Sequence, residues 1–492
     1  MELTNSAATV SVDLQATAND TVYTAQLVQG TGTDLLLQSA DGSDVVFESL
    51  AFNMPTDTLT IISSDADVTL DIQSFYAGSP VTDMTNLDIT IQTEHIIVSS
   101  GVSIGSTSAK VGSVTLEAEK SLSVTGGSTL LQTLTDNFAA DATLSASVDV
   151  EGSIHAVGNV VISAKADLDA EVDEITSAFS FDTDAQISNL GASATIGAAA
   201  TISAGGTVSI KSITTTDIDI GGEAGIATVK ADAKSRTTTT IADGASIIHG
   251  AGSSVISAED TTNINIKLGP DEAEQSIIDT GGDLIQGTLQ GTSILTLDLD
   301  RETRVAVGDA TLGDGTSGDL AVEAKSSGEM DLQVQATLVG ASTLTSLDTV
   351  SAMLTSTTVR GTSLSLIGDN DTDYSNVAKF VINDVTGSTT ATATSADANV
   401  SGNVTISATD ASIISSVSES LYLVASGLTG IELTNTFAIN EVDKDVTASI
   451  SGGTIESTGG GIAVTAKNGQ TILAKAKAKS LVDGSVTNPN IA

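Results

Sequence analysis

The chain has 492 residues, no cysteine, and 62 acidic against 18 basic side chains, for a net charge of −44. Such a surface repels phosphate backbones and anionic lipid, which excludes nucleic acid and membrane surfaces as partners, and without thiols there are no disulfides or thiolate metal sites. Aliphatic residues are plentiful, but there is no Trp and there are only 8 Phe and 4 Tyr; the chain is too apolar to be disordered and too poor in aromatics for ordinary globular cores.

Residues 1–90 read as an irregular N-terminal β region, with stretches such as "TDLLLQSADGSDVVFESL" and "TDTLTIISSDADVTLDIQSFYAG". These alternate apolar and polar residues, the period of a half-buried strand, and we expect them to be continuous with the residues after 90. The start "MELTNSAATVSVDL" has neither a basic segment nor an apolar one and reads as strand rather than signal peptide. We therefore expect either an excised piece of a longer chain or a mature polymer subunit. No run of about 18 apolar residues occurs, so no membrane insertion is expected.

Residues 91–492 are repetitive. The pattern Gly-x-aliphatic-x-aliphatic-x-small appears as "GSVTLEA" from Gly112, "GNVVISA" from Gly158, "GTVSIKS" from Gly206, "GDLAVEA" from Gly318, "GNVTISA" from Gly402 and "GGIAVTA" from Gly460, with looser copies from Gly252 and Gly361. The first copies recur at intervals of about 46 residues and later ones drift, as insertions in loops would make them. Alternation puts Val404, Ile406 and Ala408 on one face and Thr405 and Ser407 on the other. No segment carries helical periodicity over ten residues. We expect short strands of about four to seven residues with Gly, Asn or Asp at the corners.

An all-β architecture of this composition is either an antiparallel sandwich or a parallel β-helix. Sandwiches lean on large aromatic core residues, whereas a thin solenoid needs stacked small and branched aliphatics. We therefore expect a right-handed parallel β-helix over 91–492. With coils of about 20–25 residues, each 46-residue interval would hold two, giving a rod on the order of 100 Å.

The phrases "GGTVSIKS", "GNVTISATD" and "GGTIESTGGGIAVTAKNGQ" resemble repeats of filamentous-haemagglutinin-type exoproteins and of giant repetitive surface proteins of Gram-negative bacteria. The resemblance covers about residues 90–490 and carries no functional residues across. It implies a secreted or cell-surface bacterial protein, a β-helical shaft, and a role in adhesion, matrix or surface structure.

Little in the chain looks catalytic. His95, His155 and His249 are not spaced as metal ligands and read as surface or corner residues. "GVSIG" around Ser103 matches a nucleophile elbow in letters only, because no helix follows. "GDGTSG" (313–318) precedes a strand and so lacks the helix a dinucleotide fingerprint needs. The acidic loops "GDNDTDYSN" (368–376) and "GPDEAEQ" (269–275) are the candidates for a cation. Asp369, Asp371 and Asp373 alternate as Ca²⁺ ligands can, although Tyr374 and Phe380 stand where an EF-hand has Gly and Glu. No other cofactor is indicated. "DLDRETR" (298–304) reads as a surface ion-pair patch. "AKAKAKS" places Lys475, Lys477 and Lys479 on one strand face, a candidate contact for the acidic coat of another rod.

We thus expect a non-enzymatic structural rod whose partners are further copies of itself, end to end or laterally, or flanking repeats of a longer chain. Neither terminus contains a visible cap. The alternative is a carbohydrate-binding or carbohydrate-degrading β-helix that takes cell-surface glycans.

Overall fold

The computed structural model describes residues 2–6, 8–14, 22–29, 34–39, 49–63, 67–75, 84–126, 143–172, 185–222, 227–268, 292–334, 339–424 and 436–482. Among them there is no helix; strands form sheets of fourteen, twelve and eight members, here sheets I, II and III. The acidic segment 269–275 lies outside the described residues.

One circuit shows the plan. Strand Val160–Val172 lies in sheet I, Ala185–Ile196 in sheet II and Thr201–Ala204 in sheet III, after which Val208–Gly222 returns to sheet I. Val160 then lies beside Val208 and Val172 beside Ile220, in parallel. Each copy of the repeated phrase opens a strand of sheet I, so each phrase marks one circuit. The expectation of two coils per interval is overturned: Leu116 pairs directly with Ile162 and Ile162 with Ile210. The circuits are twice as long as expected because their strands are, reaching 15 to 17 residues in Val208–Gly222 and Val339–Thr355. Twelve strands at about 4.8 Å spacing give a stack of about 50 Å, half the expected length.

The drift of the repeat has one location. The connections from sheet II through sheet III to sheet I stay short, as from Ile196 to Thr201 and from Ala204 to Val208. The connection from sheet I to sheet II varies from a single residue, Lys379, between Ala378 and Phe380, to the whole span between Leu268 and Thr292.

The Gly-Asn corners have a physical reason. Asn159 Oδ1 accepts the backbone N–H of Thr207 at 2.9 Å, and Asn403 Oδ1 accepts that of Gly461 at 3.0 Å. Asp88 Oδ1 does the same for Ser113 at 2.7 Å and Asp243 Oδ1 for Asp309 at 2.8 Å. Each corner side chain thus supplies an acceptor to a backbone donor of the next circuit, where the strand ladder is interrupted. Asn403→Ala should cost about 0.5–1 kcal/mol, read as a lowered urea midpoint, because the bond is solvent-exposed; no change would show that water replaces it fully.

Inside, the apolar residues form two clusters. The first joins the opening half of each sheet I strand, such as Val160, Ile162 and Ala164, to the closing half of each sheet II strand and to sheet III. The second joins the closing half of sheet I, such as Leu168 and Val172, to the opening half of sheet II, such as Ile187 and Leu190. Between them the sheets approach closely: a Cβ built on Gly368 would lie 2.4 Å from the Thr390 carbonyl oxygen. That is why the last position of the phrase is small, with Ala118, Ala164, Ala258, Ala324 and Ala408 in the same column as Gly368.

The N-terminal end has a cap, contrary to the expectation of none. Glu2–Asn5 pairs antiparallel with Thr9–Asp13, and Val22–Gln29, Asp34–Ser39 and Leu50–Asn53 form an antiparallel meander at the edge of sheet II. The larger side chains gather here, Leu14, Leu27, Leu35, Leu37, Phe52 and Phe75 all being buried. The edge strands Glu2–Asn5 and Leu50–Asn53 are four residues each, and such short edges resist further pairing. Strands of this region pair in register with the repetitive part, Thr58–Ile62 with Asp88–Thr93, and share its first core cluster.

Candidate functional site

Two places depart from a plain aliphatic stack, and both lie toward its C-terminal end. The first is at the waist between the two apolar clusters. On sheet I the column there runs Ala166, Thr214, Asp260, Ser326, Asn370, Asp410. On sheet II the facing column runs Leu190, Ser235, Arg301, Asp348, Gly387, Lys444. Apolar at the start, the lane becomes polar and then ionic along the stack.

The ionic part is a single network. Arg301, 1% exposed, places Nε 2.7 Å from Asp348 Oδ1 and Nη1 3.3 Å from Asp260 Oδ1. Its Nη2 donates to Thr372 Oγ1 at 2.7 Å and its Nη1 to the Ser327 carbonyl at 3.1 Å. Asp260 also accepts the hydroxyls of Thr214, at 2.6 Å, and Ser235. Lys444 Nζ lies 3.4 Å from Asp410 Oδ2, 3.5 Å from Asp348 Oδ2 and 3.2 Å from Ser412 Oγ, and 5.4 Å from the centre of the Tyr374 ring. The Tyr374 hydroxyl donates to Asp348 Oδ2, and Asp410 accepts from Ser412 N–H at 3.1 Å and Asn370 Nδ2 at 3.3 Å. Three carboxylates thus meet two cations, with every one of these side chains at 1% exposure or less in its ion pair.

Burial pushes the Asp348 carboxyl up, but Arg301 and Lys444, with the Arg301 and Tyr374 hydrogen bonds, outweigh it and hold the group well below the usual carboxylate range. Burial and the Asp348 charge push the Tyr374 hydroxyl well above its ordinary value, so it stays a donor. Two glycines make room. Gly328 (φ +145°) stands between Thr262 and Thr372 in sheet I, and Gly387 (φ +141°) between Asp348 and Lys444 in sheet II. A side chain at 387 would run into the backbone of Asp348.

The second place is the final circuit. Strands Phe437–Ser451, Thr454–Ser457, Ile462–Asn468 and Thr471–Val482 pair on one side only among the described residues. Ile450, Ile462, Val464 and Ile472 are 37%, 48%, 45% and 54% exposed, whereas their partners one circuit below, Ala393, Val404, Ile406 and Ile414, are all 0% exposed. Backbone donors and acceptors and core-facing aliphatics are therefore uncovered together.

Comparison of the chain with family models, curated proteins and solved structures finds no match.

Of the sequence-derived candidates, Asp369, Asp371 and Asp373 are not in a loop: they lie in the sheet I strand Ser363–Ala378 and alternate with the buried Asn370, Thr372 and Tyr374. The loop expectation fails because the alternation in "GDNDTDYSN" is that of a strand whose inward lane is polar. Burial and the neighbouring Asp371, Asp410 and Glu323 raise the Asp369 carboxyl against the opposing pull of Lys325. Among the described residues no three His, Asp or Glu side chains are grouped so as to hold a metal ion. Lys475 is exposed on the final strand; Lys477 is registered with Glu419 and Lys479 with Leu421. In "DLDRETR" only the flanks are at the surface, with Arg236 bridging Asp300 at 2.5 Å and Glu302 at 3.6 Å. Arg301 itself is inside, a correction to the surface-patch reading. His155 and His249 are buried at corners of sheet III, and burial lowers both below the ordinary histidine value. Ser103 lies in the two-residue strand Ser103–Ile104 of sheet III, its hydroxyl donating to the Gly105 carbonyl at 2.5 Å.

The buried network was missed in the sequence, yet a signal for it exists. Arg301 occupies the inward lane of Leu297, Leu299, Thr303 and Val305, and Lys444 that of Val442 and Val446. Carrying the alternation through the charged residues would have placed both inside.

Proposed function

We propose that this chain is a non-enzymatic structural shaft: a right-handed parallel β-helix belonging to a secreted or cell-surface bacterial fibre or adhesin. The observation that carries this reading is the coil-on-coil register of one aliphatic column from Leu116 through Ile162, Ile210 and Ile406 to Val464, ending on a circuit that pairs on one side only among the described residues. Stacked backbone ladders and aliphatic columns make a stiff, quasi-one-dimensional body. The similarity of its phrases to filamentous-haemagglutinin-type repeats supports the surface assignment. The acidic coat favours solubility and keeps rods from sticking side to side.

The open final circuit is the docking face, and its occupant is another β coil of the same kind. Long edge strands present donors and acceptors at strand spacing, and covering four half-exposed aliphatics is worth roughly 1 kcal/mol each. In a longer polypeptide the next coil takes this place. In the isolated chain a second copy does so through the same edge, because the opposite end is closed by short antiparallel strands. A two-fold contact of that kind closes on itself. Light scattering and negative-stain microscopy should therefore show rods paired through one end, and Val464→Lys should release single rods. Single rods at all concentrations would overturn the docking reading, and particles without rod shape would overturn the shaft.

A further inference from the structure

We propose that Lys444 and Asp410 form a spontaneous intramolecular isopeptide bond. Lys444 Nζ stands 3.4 Å from Asp410 Oδ2, with both side chains 1% exposed. A third carboxyl, Asp348, is 3.5 Å from the same nitrogen and is pinned by Arg301 Nε at 2.7 Å and by the Tyr374 hydroxyl. The two aspartates play different parts. Asp348 is engaged by a guanidinium and a phenol that keep it ionised and in place, whereas Asp410, besides meeting the amine, accepts from the neutral donors Ser412 N–H and Asn370 Nδ2.

The reaction needs no co-reactant. The Lys444 ammonium passes one proton to the Asp410 carboxylate, giving a neutral amine beside a neutral acid. Nζ then attacks Cγ of Asp410, and the Ser412 N–H, 3.1 Å from Oδ1, donates to the oxygen on which charge develops. The second proton passes from nitrogen to the departing hydroxyl within the tetrahedral adduct, while the Asp348 carboxylate, 3.5 Å from Nζ, steadies the positive charge on nitrogen. The Cγ–O bond breaks, the Nζ–Cγ amide remains, and one water is released. Fixed neighbours that meet without losing further freedom react as though at very high concentration. Three carboxyls around two cations leave Asp348 as a fixed negative charge beside the reacting nitrogen.

The bond would tie the sheet I strand Val404–Asp410 to the sheet II strand Phe437–Ser451 of the final circuit. It would staple the last circuit among the described residues, where peeling of the outermost coil would otherwise begin.

Intact-mass measurement of the denatured full chain tests this. The expected mass is about 18 Da below that of the sequence, one water lost in a covalent modification, and proteolysis should yield one branched species joining the peptides that contain Asp410 and Lys444. Lys444→Arg and Asp410→Ala should both restore the full mass. Asp348→Asn should leave folded protein, judged by its circular dichroism, mostly at full mass because the carboxylate beside the reacting nitrogen is gone. Wild-type protein at full mass without a branched peptide overturns the proposal, as does water loss that persists in Lys444→Arg and so arises elsewhere.

Discussion

Arg301→Met is expected to lower stability by about 3–5 kcal/mol, the usual cost of stripping one partner from a buried ion pair. Methionine fills much of the space of the arginine stem, so the loss reports charge rather than volume. Asp260 and Asp348 would be left facing each other across the waist, both almost free of water. Urea denaturation followed by circular dichroism should show the midpoint fall, and a loss below about 1 kcal/mol would mean that the carboxyls had simply taken up protons. The pH dependence separates these outcomes. In the intact protein Asp348 is held ionised below the usual carboxylate range. A carboxyl depressed in the fold stabilises it above the unfolded value, about pH 4, and that contribution is lost as pH falls from there through the folded value. Without Arg301 that acid-side loss should shrink sharply, and stability near neutrality should instead decrease as pH rises. An unchanged pH profile in the variant would contradict the assignment of the network as the source of this acid sensitivity.

Gly387→Ala should be nearly as damaging, by about 3 kcal/mol or more, from one methyl group. Its φ of +141° is one that residues with a Cβ seldom adopt, and the added Cβ would lie 1.9 Å from the Asp348 carbonyl oxygen. Backbone there cannot yield without moving Asp348, which Arg301 and Tyr374 hold. Gly461→Ala is the matched control: an added Cβ meets nothing within 4 Å, so its effect should stay within about 0.5 kcal/mol. Thermal unfolding of both variants decides the matter; equal effects would show that the strain at 387 is relieved by a backbone shift.

How much of this is legible in the letters depends on the range of the interaction. Alternation in "GNVTISA" states which residues share a face, because a strand's side chains point to opposite sides whatever surrounds it. The recurrence of the phrase shows that identical strands are stacked, and Gly-Asn marks corners because Asn159 and Asn403 serve the adjacent backbone. These are local rules, and the structure obeys them. The length of a circuit was misjudged because the sequence does not announce where a strand stops when its inward lane turns from Ile to Thr or Asp. Strands expected at about four to seven residues therefore run on, as Val208–Gly222 does over 15.

The sequence by itself determined an all-β chain of stacked, small-cored strands with an acidic exterior and one inward lane per strand. Only the tertiary structure decided which lanes face each other. Arg301, Asp348 and Lys444 stand in one column of sheet II and meet Asp260 and Asp410 only because sheets I and II close on a common waist. A charge is tolerated inside when its partner arrives from another strand, and no reading along one strand contains that partner. The same holds for the two ends. Antiparallel pairing at the first strands and an uncovered row at Ile462 and Val464 depend on which edges remain after all circuits are stacked, a property of the whole assembly of strands rather than of any segment.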